Sequence, residues 1–388
     1  MPQRKKEKKT TLAQQEDHQQ RKSKRKSLMK ERKEKVLSSL RDLGSDVYGQ
    51  LLKNEFPTVK MPSRSIANIL YDNKTRQYIL GKRSVKRSAR NVRHIRPFTQ
   101  LLWTAMFVDE LTEQNKTSTL RDVFYSAQAY EMDFQDQQES DNLITDLESV
   151  VRFSREDFNV YPEERSAIFG DLTVEYTVPG YEGRQLNLTS HPDGVMIGPA
   201  LTTADFVKPD KRRVDKVIAI EKGGLFTRFI EERVHQRYKA ILIHTAGQAP
   251  RATRFLLRRM NQELEVPVYI FTDGDPWGMH IAMVIISGSA NAAHLRDLNT
   301  PDAIWGGVWA TDIVDYKLPS DPLTDLDLKR LNELEKDPRY KGDMWNREID
   351  TFRKIRKKSE QEAFSRYGLT YIVDKYLPEK LKVKPEKA

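Results

Sequence analysis

The sequence contains no cysteine among its 388 residues. This absence excludes disulfide bridges, thiolate metal sites and a cysteine nucleophile. A run of about 18 apolar residues, as a transmembrane helix requires, is also missing, because the longest mostly apolar stretch, residues 279–293, is interrupted by Ser, Gly and Asn. The charged N-terminus has no apolar segment behind it, which argues against a signal peptide. We therefore predict a soluble intracellular protein of about two or three domains.

Charge is unevenly spread along the chain, although 66 Lys and Arg against 56 Asp and Glu give a net charge of only +10. Residues 1–41 hold 15 Lys and Arg and 5 Asp and Glu, so this segment carries the whole excess. Residues 1–35 have almost no large apolar side chains, and we predict that they are disordered or form a lone helix. Two interpretations stay open: an arm that binds nucleic acid, or a solvated charge run without a specific partner.

The remaining chain is neutral in sum but divided into blocks of opposite sign. Residues 58–108 contain 11 Lys and Arg and one acid, whereas residues 109–175 contain 17 acids and 5 Lys and Arg. Residues 131–148 hold seven acids and no Lys or Arg. This order predicts one domain with a basic, DNA-facing side and an acidic side that faces a partner or solvent.

The apolar periodicity before Pro162 predicts a helix, a hairpin and then a small helical domain. A first helix is expected over residues 36–52, and a hairpin is expected around the turn formed by residues 72–74. Together with this hairpin, three further helices favour a winged-helix domain, a common plan for binding DNA. These helices are expected over residues 98–111, 120–127 and 142–153.

After Pro162 the pattern changes to alternating strands and helices. Strands are expected at residues 214–220, 240–243 and 266–271. Helices are expected at residues 225–234, 251–264 and 279–286. This alternation predicts βαβ units and a parallel sheet, in which ligands bind at the carboxyl ends of the strands. The last third of the chain is charged and helical in pattern.

Two acidic motifs directly follow predicted strands. Glu221 opens the motif Glu-Lys-Gly-Gly, and Asp273 and Asp275 belong to Asp-Gly-Asp-Pro-Trp-Gly, which ends at Gly278. We expect these three carboxylates to converge at one sheet edge, where they repel one another unless a cation is present. Oxygen ligands favour Mg²⁺, and the glycines of the motifs would let the backbone approach a phosphate. Each motif taken singly is equally compatible with a turn or a helix cap.

Tyr125 follows Arg121 by four residues on the predicted helix over residues 120–127, so both side chains share one face. A phenol is a poor nucleophile at neutral pH. A guanidinium group and a phosphate-bound cation would favour the phenolate and stabilise charge on an attacked phosphate. The competing interpretation is ordinary core packing of the pair Phe124 and Tyr125.

Taken together, these motifs resemble the A subunits of archaeal-type DNA topoisomerase VI. The resemblance covers roughly residues 36–381 and rests on Arg-Asp-Val-Phe-Tyr at residues 121–125 and on the two acidic motifs. Four further segments support it: Met-Pro-Ser-Arg at 61–64, Asp-Gln-Gln-Glu-Ser-Asp at 136–141, Ser-Asp-Pro-Leu-Thr-Asp-Leu-Asp at 320–327, and Tyr-Ile-Val-Asp-Lys-Tyr-Leu-Pro at 371–378. The same superfamily includes the meiotic transesterase that makes programmed double-strand breaks.

The resemblance implies which residues carry the reaction. Tyr125 matches the nucleophile that attacks a DNA phosphodiester and becomes linked to the 5′ phosphate, and Arg121 matches the assisting arginine. Glu221, Asp273 and Asp275 match the Mg²⁺ ligands of a Toprim fold. Two other aromatic residues bear on this assignment: Phe124 stands where many relatives have tyrosine, and Tyr130, the nearest rival nucleophile, lies outside the motif.

The resemblance also implies partners. A double-strand break in DNA needs two tyrosines, hence a homodimer in which the tyrosine of one protomer meets the metal site of the other. No ATP-binding signature appears, since Gly-Lys-Arg at residues 81–83 lacks the upstream glycine and the Ser or Thr of a phosphate-binding loop. ATP would therefore bind a GHKL-type ATPase B subunit in an A2B2 heterotetramer. The implied location is the cytoplasm, at the nucleoid.

The expected architecture combines α/β and α+β parts. We predict a basic tail over residues 1–35, an N-terminal helix over 36–57 and a winged-helix (CAP-like) DNA-binding domain with the catalytic tyrosine over 58–158. A Toprim domain with a Rossmann-like parallel sheet and C-terminal helices is predicted over 159–388.

Three alternative functions stay open at this point. The first is a Toprim metal nuclease or phosphohydrolase in which water attacks and Tyr125 is structural. The second is a meiotic-type transesterase that breaks DNA without strand passage. The third is a DNA-binding scaffold with a degenerate site, against which the presence of Tyr125 and all three carboxylates argues.

Overall fold

The chain forms two compact units in the computed structural model, which describes residues 30–207 and 213–383 together with Ser27 and Pro209. Of the described residues, those up to 63 and those from 82 to 162 form the first unit, and those from 64 to 81 and from 163 onward form the second. Most of the basic tail lies outside the described residues, so both interpretations of it remain predictions. None of the helices in the described ranges is long and apolar enough to cross a membrane.

The elements up to Pro162 are mostly helical, and the strands among them are short. In chain order they are α1 (30–52), β1 (Thr58–Pro62), β2 (Ile69–Asp72), β3 (Gln77–Leu80), β4 (Ser84–Ser88), α2 (Val92–Gln114), β5 (Ser118–Thr119), α3 (Leu120–Gln128), α4 (Gln137–Val151) and β6 (Val160–Tyr161).

The elements after Pro162 alternate between strands and helices through most of the segment. In chain order they are β7 (Ala167–Phe169), β8 (Thr173–Glu175), β9 (Gln185–Asn187), β10 (Val195–Met196), α5 (Pro199–Thr203), β11 (Asp205–Val207), β12 (Lys216–Ile220), α6 (Gly223–Glu231), α7 (Val234–Arg237), β13 (Ala240–His244), α8 (Arg251–Glu263), β14 (Val268–Phe271), α9 (Pro276–Ser287), β15 (Ile304–Gly307), α10 (Ala310–Asp315), β16 (Asp321–Pro322), α11 (Asp325–Lys336), α12 (Asp343–Ile355), β17 (Lys357–Lys358) and α13 (Leu377–Leu381).

Helix α1 continues through the position where the sequence suggested a break between tail and helix. Residues 30–52 are helical without interruption. Val36 and Leu40 are buried in the core of the first unit. The Arg32 guanidinium donates to both carboxylate oxygens of Asp157, at 2.5 and 2.8 Å. The described end of the basic segment is therefore an ordered helix whose apolar side is packed, while its charged side chains stay largely exposed.

Helices α2, α3 and α4 pack with α1 in the core of the first unit, and each of these three begins or ends beyond its predicted limits. Helix α4 starts at Gln137 rather than near residue 142, because Asp136 caps it by accepting a hydrogen bond from the Glu139 N–H at 2.8 Å. The first turn of this helix is polar, so apolar periodicity could not reveal it. Strands β1 and β4 pair as an antiparallel ribbon in the same unit.

The predicted hairpin forms from β2 and β3, but it belongs to the second unit. The Tyr78 hydroxyl donates to Asp337 at 3.0 Å, and the Arg339 guanidinium lies 4.7 Å from the centre of the Tyr78 ring. The expectation that this hairpin is part of a winged-helix domain was therefore wrong. Strand patterns identify which segments pair with each other, but they do not identify the surface against which the pair packs.

A six-stranded sheet in the order β10-β7-β13-β12-β14-β15 organises the second unit. Strands β13, β12 and β14 are parallel, as predicted, and β15, which the sequence analysis did not identify, is parallel to β14. Strands β7 and β10 are antiparallel additions at one edge. The sheet is therefore mixed rather than wholly parallel. The antiparallel strands have three and two residues, which is too short to leave a periodic signal in the sequence.

Both faces of this sheet are buried, which explains the continuous apolar runs of its strands. One face, which includes Val217, Ile241 and Ile270, packs against α8, α9 and α12. The opposite face, which includes Ile218 and Phe271, packs against α6, α7 and α13. A second, three-stranded sheet has the order β11-β8-β9.

Candidate active site

Strands β12 and β14 are direct neighbours, so the two acidic motifs that follow them meet at one edge of the sheet. Ile220 is paired with Phe271, the last residue of β14. The Glu221 N–H donates to the Phe271 carbonyl at 3.0 Å, and the Asp273 N–H donates to Glu221 Oε2 at 2.9 Å. The predicted convergence of Glu221 and Asp273 is therefore present.

Asp273 is the more enclosed of these two carboxylates, with 7% of its surface exposed. Its Oδ1 accepts a hydrogen bond from the Gln361 N–H at 3.0 Å. Its Oδ2 lies 3.1 Å from the ammonium nitrogen of Lys222. Both oxygens of this carboxylate are thus oriented by groups at the sheet edge.

Burial raises the pKa of both carboxyls, because a charged group loses hydration in the protein interior. The pKa of Glu221 rises to about 7, mainly through burial and secondarily through repulsion by Asp273. Burial likewise raises the pKa of Asp273 to about 6. Loss of hydration is the main cause of both shifts, and a bound cation would oppose it by favouring the charged forms of the two carboxylates.

Asp275 has a different local role from Glu221 and Asp273. It is the N-cap of α9, and its Oδ1 accepts a hydrogen bond from the Gly278 N–H at 2.6 Å. Burial raises its pKa, with repulsion from Asp327 and attraction to Lys358 as further causes. The charge of Asp275 in turn helps to raise the pKa of Glu221 and of Asp273. Among the described residues, no three His, Asp or Glu side chains form a group positioned to hold a metal ion.

The residues present nevertheless fit a magnesium ion of the kind that completes its shell with water and phosphate. Mg²⁺ is commonly held by one or two carboxylates, with substrate phosphates and waters as the other ligands. Glu221 and Asp273 supply two buried oxygen donors in contact through the Asp273 N–H. A third carboxylate, Asp275, begins the helix that follows.

Gly278 is required by the acidic motif itself. A Cβ atom at this position would lie 2.1 Å from the carbonyl oxygen of Asp273, far inside van der Waals contact. The sequence suggested that glycines here admit a phosphate. The structure provides a reason within the chain: the first turn of α9 passes directly over the backbone of Asp273.

Tyr125 projects from α3, a short helix anchored at its start and on its inner face. Thr119 and Asp122 form a capping box at the N-terminus, and Val123 and Ala127 are fully buried. Tyr125 is 53% exposed, and its ring makes an edge-on contact with Phe124 at 5.4 Å. The interpretation of Tyr125 as a core residue is therefore wrong.

Arg121 lies one turn before Tyr125 on α3 and is exposed. The spacing of four residues places both side chains on the same side of this helix. Phe124 turns the other way and packs near Phe134, with ring centres 6.4 Å apart. The helix thus presents a guanidinium and a phenol to solvent.

Two contributors to the sheet edge were missed by sequence reasoning. Lys222 stands inside the Glu-Lys-Gly-Gly motif, so its contact with Asp273 could have been suspected from charge alone. Gln361 left no such signal, because it lies 88 residues from Asp273 along the chain and contributes its backbone N–H. A backbone donor can come from any residue type and therefore leaves no trace in composition.

Replacing Glu221 with glutamine should remove a pH-dependent loss of stability in the cation-free protein. A carboxyl whose pKa rises from 4.5 to about 7 on folding favours the folded state at low pH, and this contribution disappears as pH rises through that window. Relative to Glu221→Gln, the wild-type free energy of unfolding should fall by about 1–3 kcal/mol between roughly pH 5 and pH 8.

Urea unfolding at several pH values, in the presence of a chelator, measures this difference. Glu55→Gln serves as the control, because Glu55 is exposed. Identical pH profiles for wild type and Glu221→Gln would contradict the prediction.

Comparison with known proteins agrees with this geometry. Residues 216–381 match the family model of the Toprim domain shared by the topoisomerase 6 A subunit and Spo11, and residues 96–160 match that of type IIB DNA topoisomerase. A Toprim domain generally binds divalent metal, which supports a cation site at the sheet edge in general terms.

Whole-chain relatives have the same name in each case. The A subunit of type 2 DNA topoisomerase 6 from Methanothermobacter thermautotrophicus is 45% identical over 352 residues, which is 90% of this chain and 98% of the relative. Its counterpart from Archaeoglobus fulgidus is 38% identical, over 91% of this chain and 98% of the relative. The A subunit from Haloarcula marismortui is 36% identical, over 90% of this chain and 95% of the relative. The chain belongs to the family of type 2 DNA topoisomerase 6 A subunits, the catalytic subunits of type IIB DNA topoisomerases, and is an enzyme of the isomerase class.

Proposed function

We propose that this protein cleaves double-stranded DNA with Tyr125 as the nucleophile, and that it reseals the break after a second duplex has passed through. The observation that carries this proposal is the position of Tyr125, which is more than half exposed on a helix that is anchored by the buried residues Val123 and Ala127. A phenol held in this way can reach a substrate without rearrangement of the core.

In the proposed step, the Tyr125 oxygen attacks phosphorus and forms a bond to the 5′ phosphate, while the bond to the 3′ oxygen breaks. The phenol loses its proton, and the leaving 3′ oxygen gains one. Arg121, on the same side of α3, supplies positive charge to the phosphate in the transition state. Because the phosphodiester energy is kept in the tyrosyl linkage, the reverse reaction reseals the DNA without a further energy source.

We assign Glu221 and Asp273 as the residues that would hold Mg²⁺, and Asp275 as a third ligand that would join them only when the ion binds, since no three carboxylates of the described residues are already grouped for a metal ion. When bound there, the cation would supply positive charge at the attacked phosphate and the leaving oxygen. The backbone holds the donors in place, because Asp273 donates its N–H to Glu221 and Asp275 caps α9. For Asp275, the role requires Oδ2, since Oδ1 accepts the hydrogen bond from Gly278.

For the first unit we propose a winged-helix role in which the ribbon of β1 and β4 is the wing. Lys60 and Lys86 are exposed and directly opposite each other on this ribbon. Like charges in this arrangement destabilise a ribbon unless an anion lies nearby, and a DNA phosphate is such an anion.

Some of the positive charge of residues 58–108 is paired with acids of the same unit, which leaves fewer basic side chains for DNA. Arg87 pairs with Asp146, and Arg96 pairs with Glu139 at 2.9 Å. Both acids belong to α4, the helix with the acidic run. The exposed lysines of the ribbon are therefore better candidates for DNA contact than these arginines.

Changing both Lys60 and Lys86 to alanine should weaken DNA binding uniformly across sequences. Each lost phosphate contact should lower the salt dependence of the association constant by about one, hence by about two in total. Fluorescence anisotropy with a short duplex, at several salt concentrations, measures this slope. Lys53→Ala/Lys116→Ala changes two other exposed lysines of the first unit and is the control; an equal loss in both double variants would contradict the assignment.

The proposed assembly follows from the family. Membership among the catalytic subunits of a DNA topoisomerase implies DNA as substrate and at least one partner. We propose a homodimer, since two strands require two tyrosines, and a GHKL-type ATPase B subunit that binds ATP in an A2B2 heterotetramer. This enzyme would work in the cytoplasm, on the DNA of the nucleoid.

The direct test is to trap and map a protein–DNA adduct. The chain is incubated with B subunit, ATP, Mg²⁺ and duplex DNA, denatured, digested and analysed by mass spectrometry. We expect a 5′-phosphotyrosyl linkage at Tyr125 on both strands of a break. Cleavage without an adduct would favour the metal nuclease that uses water, and an adduct without plasmid relaxation or decatenation would favour a break-forming transesterase.

A further inference from the structure

Lys222 is a charged side chain at the sheet edge for which the proposed reaction has no role. Its ammonium nitrogen lies 3.1 Å from Asp273 Oδ2 and 3.7 Å from Glu360 Oε1. Of the two carboxylates Glu221 and Asp273, the second thus already has a positive charge beside it.

The surroundings of Asp273 leave Oδ2 as the oxygen that a cation would approach. Its Oδ1 accepts from the Gln361 N–H at 3.0 Å. The Asp273 N–H is directed at Glu221 Oε2, so the adjacent carboxylate lies on the backbone side of the residue. Lys222 therefore lies at the carboxylate oxygen through which Asp273 would bind a divalent ion.

Apart from its ion pair with Asp273, Lys222 has only weak interactions at the sheet edge. Its side chain is 32% exposed, and its second anion, Glu360, is 68% exposed. Exposed ion pairs contribute little, because water screens both charges. A lysine ammonium on its flexible stem can also exchange one anion for another at low cost.

We infer that Lys222 is an internal counter-ion that yields Asp273 to a divalent cation and then binds a phosphate oxygen of the DNA. This inference rests on the cation site proposed above. An ammonium and a divalent cation repel each other when they share a carboxylate oxygen, so binding of the second displaces the first. The released ammonium then meets the anion that arrives with the cation, the DNA phosphate.

Cation affinity of the full chain without DNA is the first test, with Mn²⁺ as the probe and calorimetry or electron paramagnetic resonance as the readout. Removing the competing ammonium in Lys222→Gln should tighten Mn²⁺ binding by about three- to tenfold, the equivalent of one modest ion pair. Lys222→Arg keeps the charge and should stay within about twofold of wild type. Unchanged or weaker binding in Lys222→Gln would overturn the inference.

A second measurement uses the wild-type chain and does not depend on how a variant folds. Brief acetylation followed by mass spectrometry reports the accessibility of the Lys222 amine. Its modification should increase when Mn²⁺ is added and decrease again when a short duplex is added with Mn²⁺. Modification that is insensitive to Mn²⁺ would refute displacement, and modification insensitive to the duplex would refute phosphate binding.

Failure of the inference can be told apart from failure of the cation site. If Asp273→Asn and Glu221→Gln leave Mn²⁺ binding unchanged, the site itself is wrong, and the role of Lys222 falls with it. If both variants abolish binding while Lys222→Gln has no effect, the site stands and only the counter-ion role is overturned.

Discussion

Substituting Tyr125 by phenylalanine should abolish covalent DNA cleavage, with a loss on the order of 10⁴-fold or more, as when a catalytic nucleophile is removed. The substitution deletes the attacking oxygen and keeps the ring. The edge-on contact with Phe124 at 5.4 Å and the buried anchors of α3 remain, so fold and DNA affinity should not change. Covalent adduct is quantified after denaturation, in the presence of B subunit, ATP and Mg²⁺.

Tyr130→Phe provides the matched control for this experiment. Tyr130 is 51% exposed, nearly the same as Tyr125, and its ring lies 5.8 Å from that of Trp103. It lies just beyond α3, so the loss of its hydroxyl should leave cleavage at the wild-type level. Adduct that persists in Tyr125→Phe and disappears in Tyr130→Phe would reverse the assignment. Cleavage that persists in Tyr125→Phe without any adduct would show that water attacks.

Asp273→Asn should have the second largest effect, a loss of cation-dependent cleavage of about 10²–10³-fold, typical of removing one strong electrostatic contribution. Asparagine has nearly the same shape as aspartate. It can still accept the hydrogen bond from the Gln361 N–H, which is 3.0 Å long in the wild-type chain. The substitution removes the negative charge from the most enclosed carboxylate of the sheet edge. DNA binding without divalent cation should stay unchanged.

The same variant has a readout that does not involve cleavage. If Mg²⁺ binds the folded state as proposed, it should raise the melting temperature of the wild-type chain, and this rise should be lost in Asp273→Asn. Asp350→Asn is the control, since Asp350 is exposed on α12. A rise of equal size in wild type and Asp273→Asn would show that the cation binds elsewhere.

The alternating part of the fold was predictable because its signals are local and repeated. Strands β12, β13 and β14 are buried on both faces, and each reads as an apolar run followed by a helix with one apolar side. The shared edge of the two acidic motifs also followed from this pattern, since parallel strands present the segments after them at one edge. The pairing of Ile220 with Phe271 confirms it.

Other features were beyond sequence reasoning because they depend on contacts between distant segments. The hairpin of β2 and β3 was recognised, but its docking near Asp337 depends on side chains more than 250 positions away. The exposure of Tyr125 was equally undecided, because Phe124 and Tyr125 are adjacent aromatics and only the direction of α3 determines which ring is buried. Local pattern carries no information about either choice.

The order of residues was enough to define which chemistry is available to this protein: a chain without cysteine, with a phenol beside an arginine and three carboxylates placed after buried strands. Folding then decided how these groups are arranged. Folding places the Asp273 N–H in a hydrogen bond with Glu221 and makes Asp275 the N-cap of α9. It also places the Lys222 ammonium group next to the carboxylate of Asp273. The physical reason is that residue types specify possible charges and donors, whereas pKa, partner and exposure arise from burial and from neighbours that only the folded chain brings together.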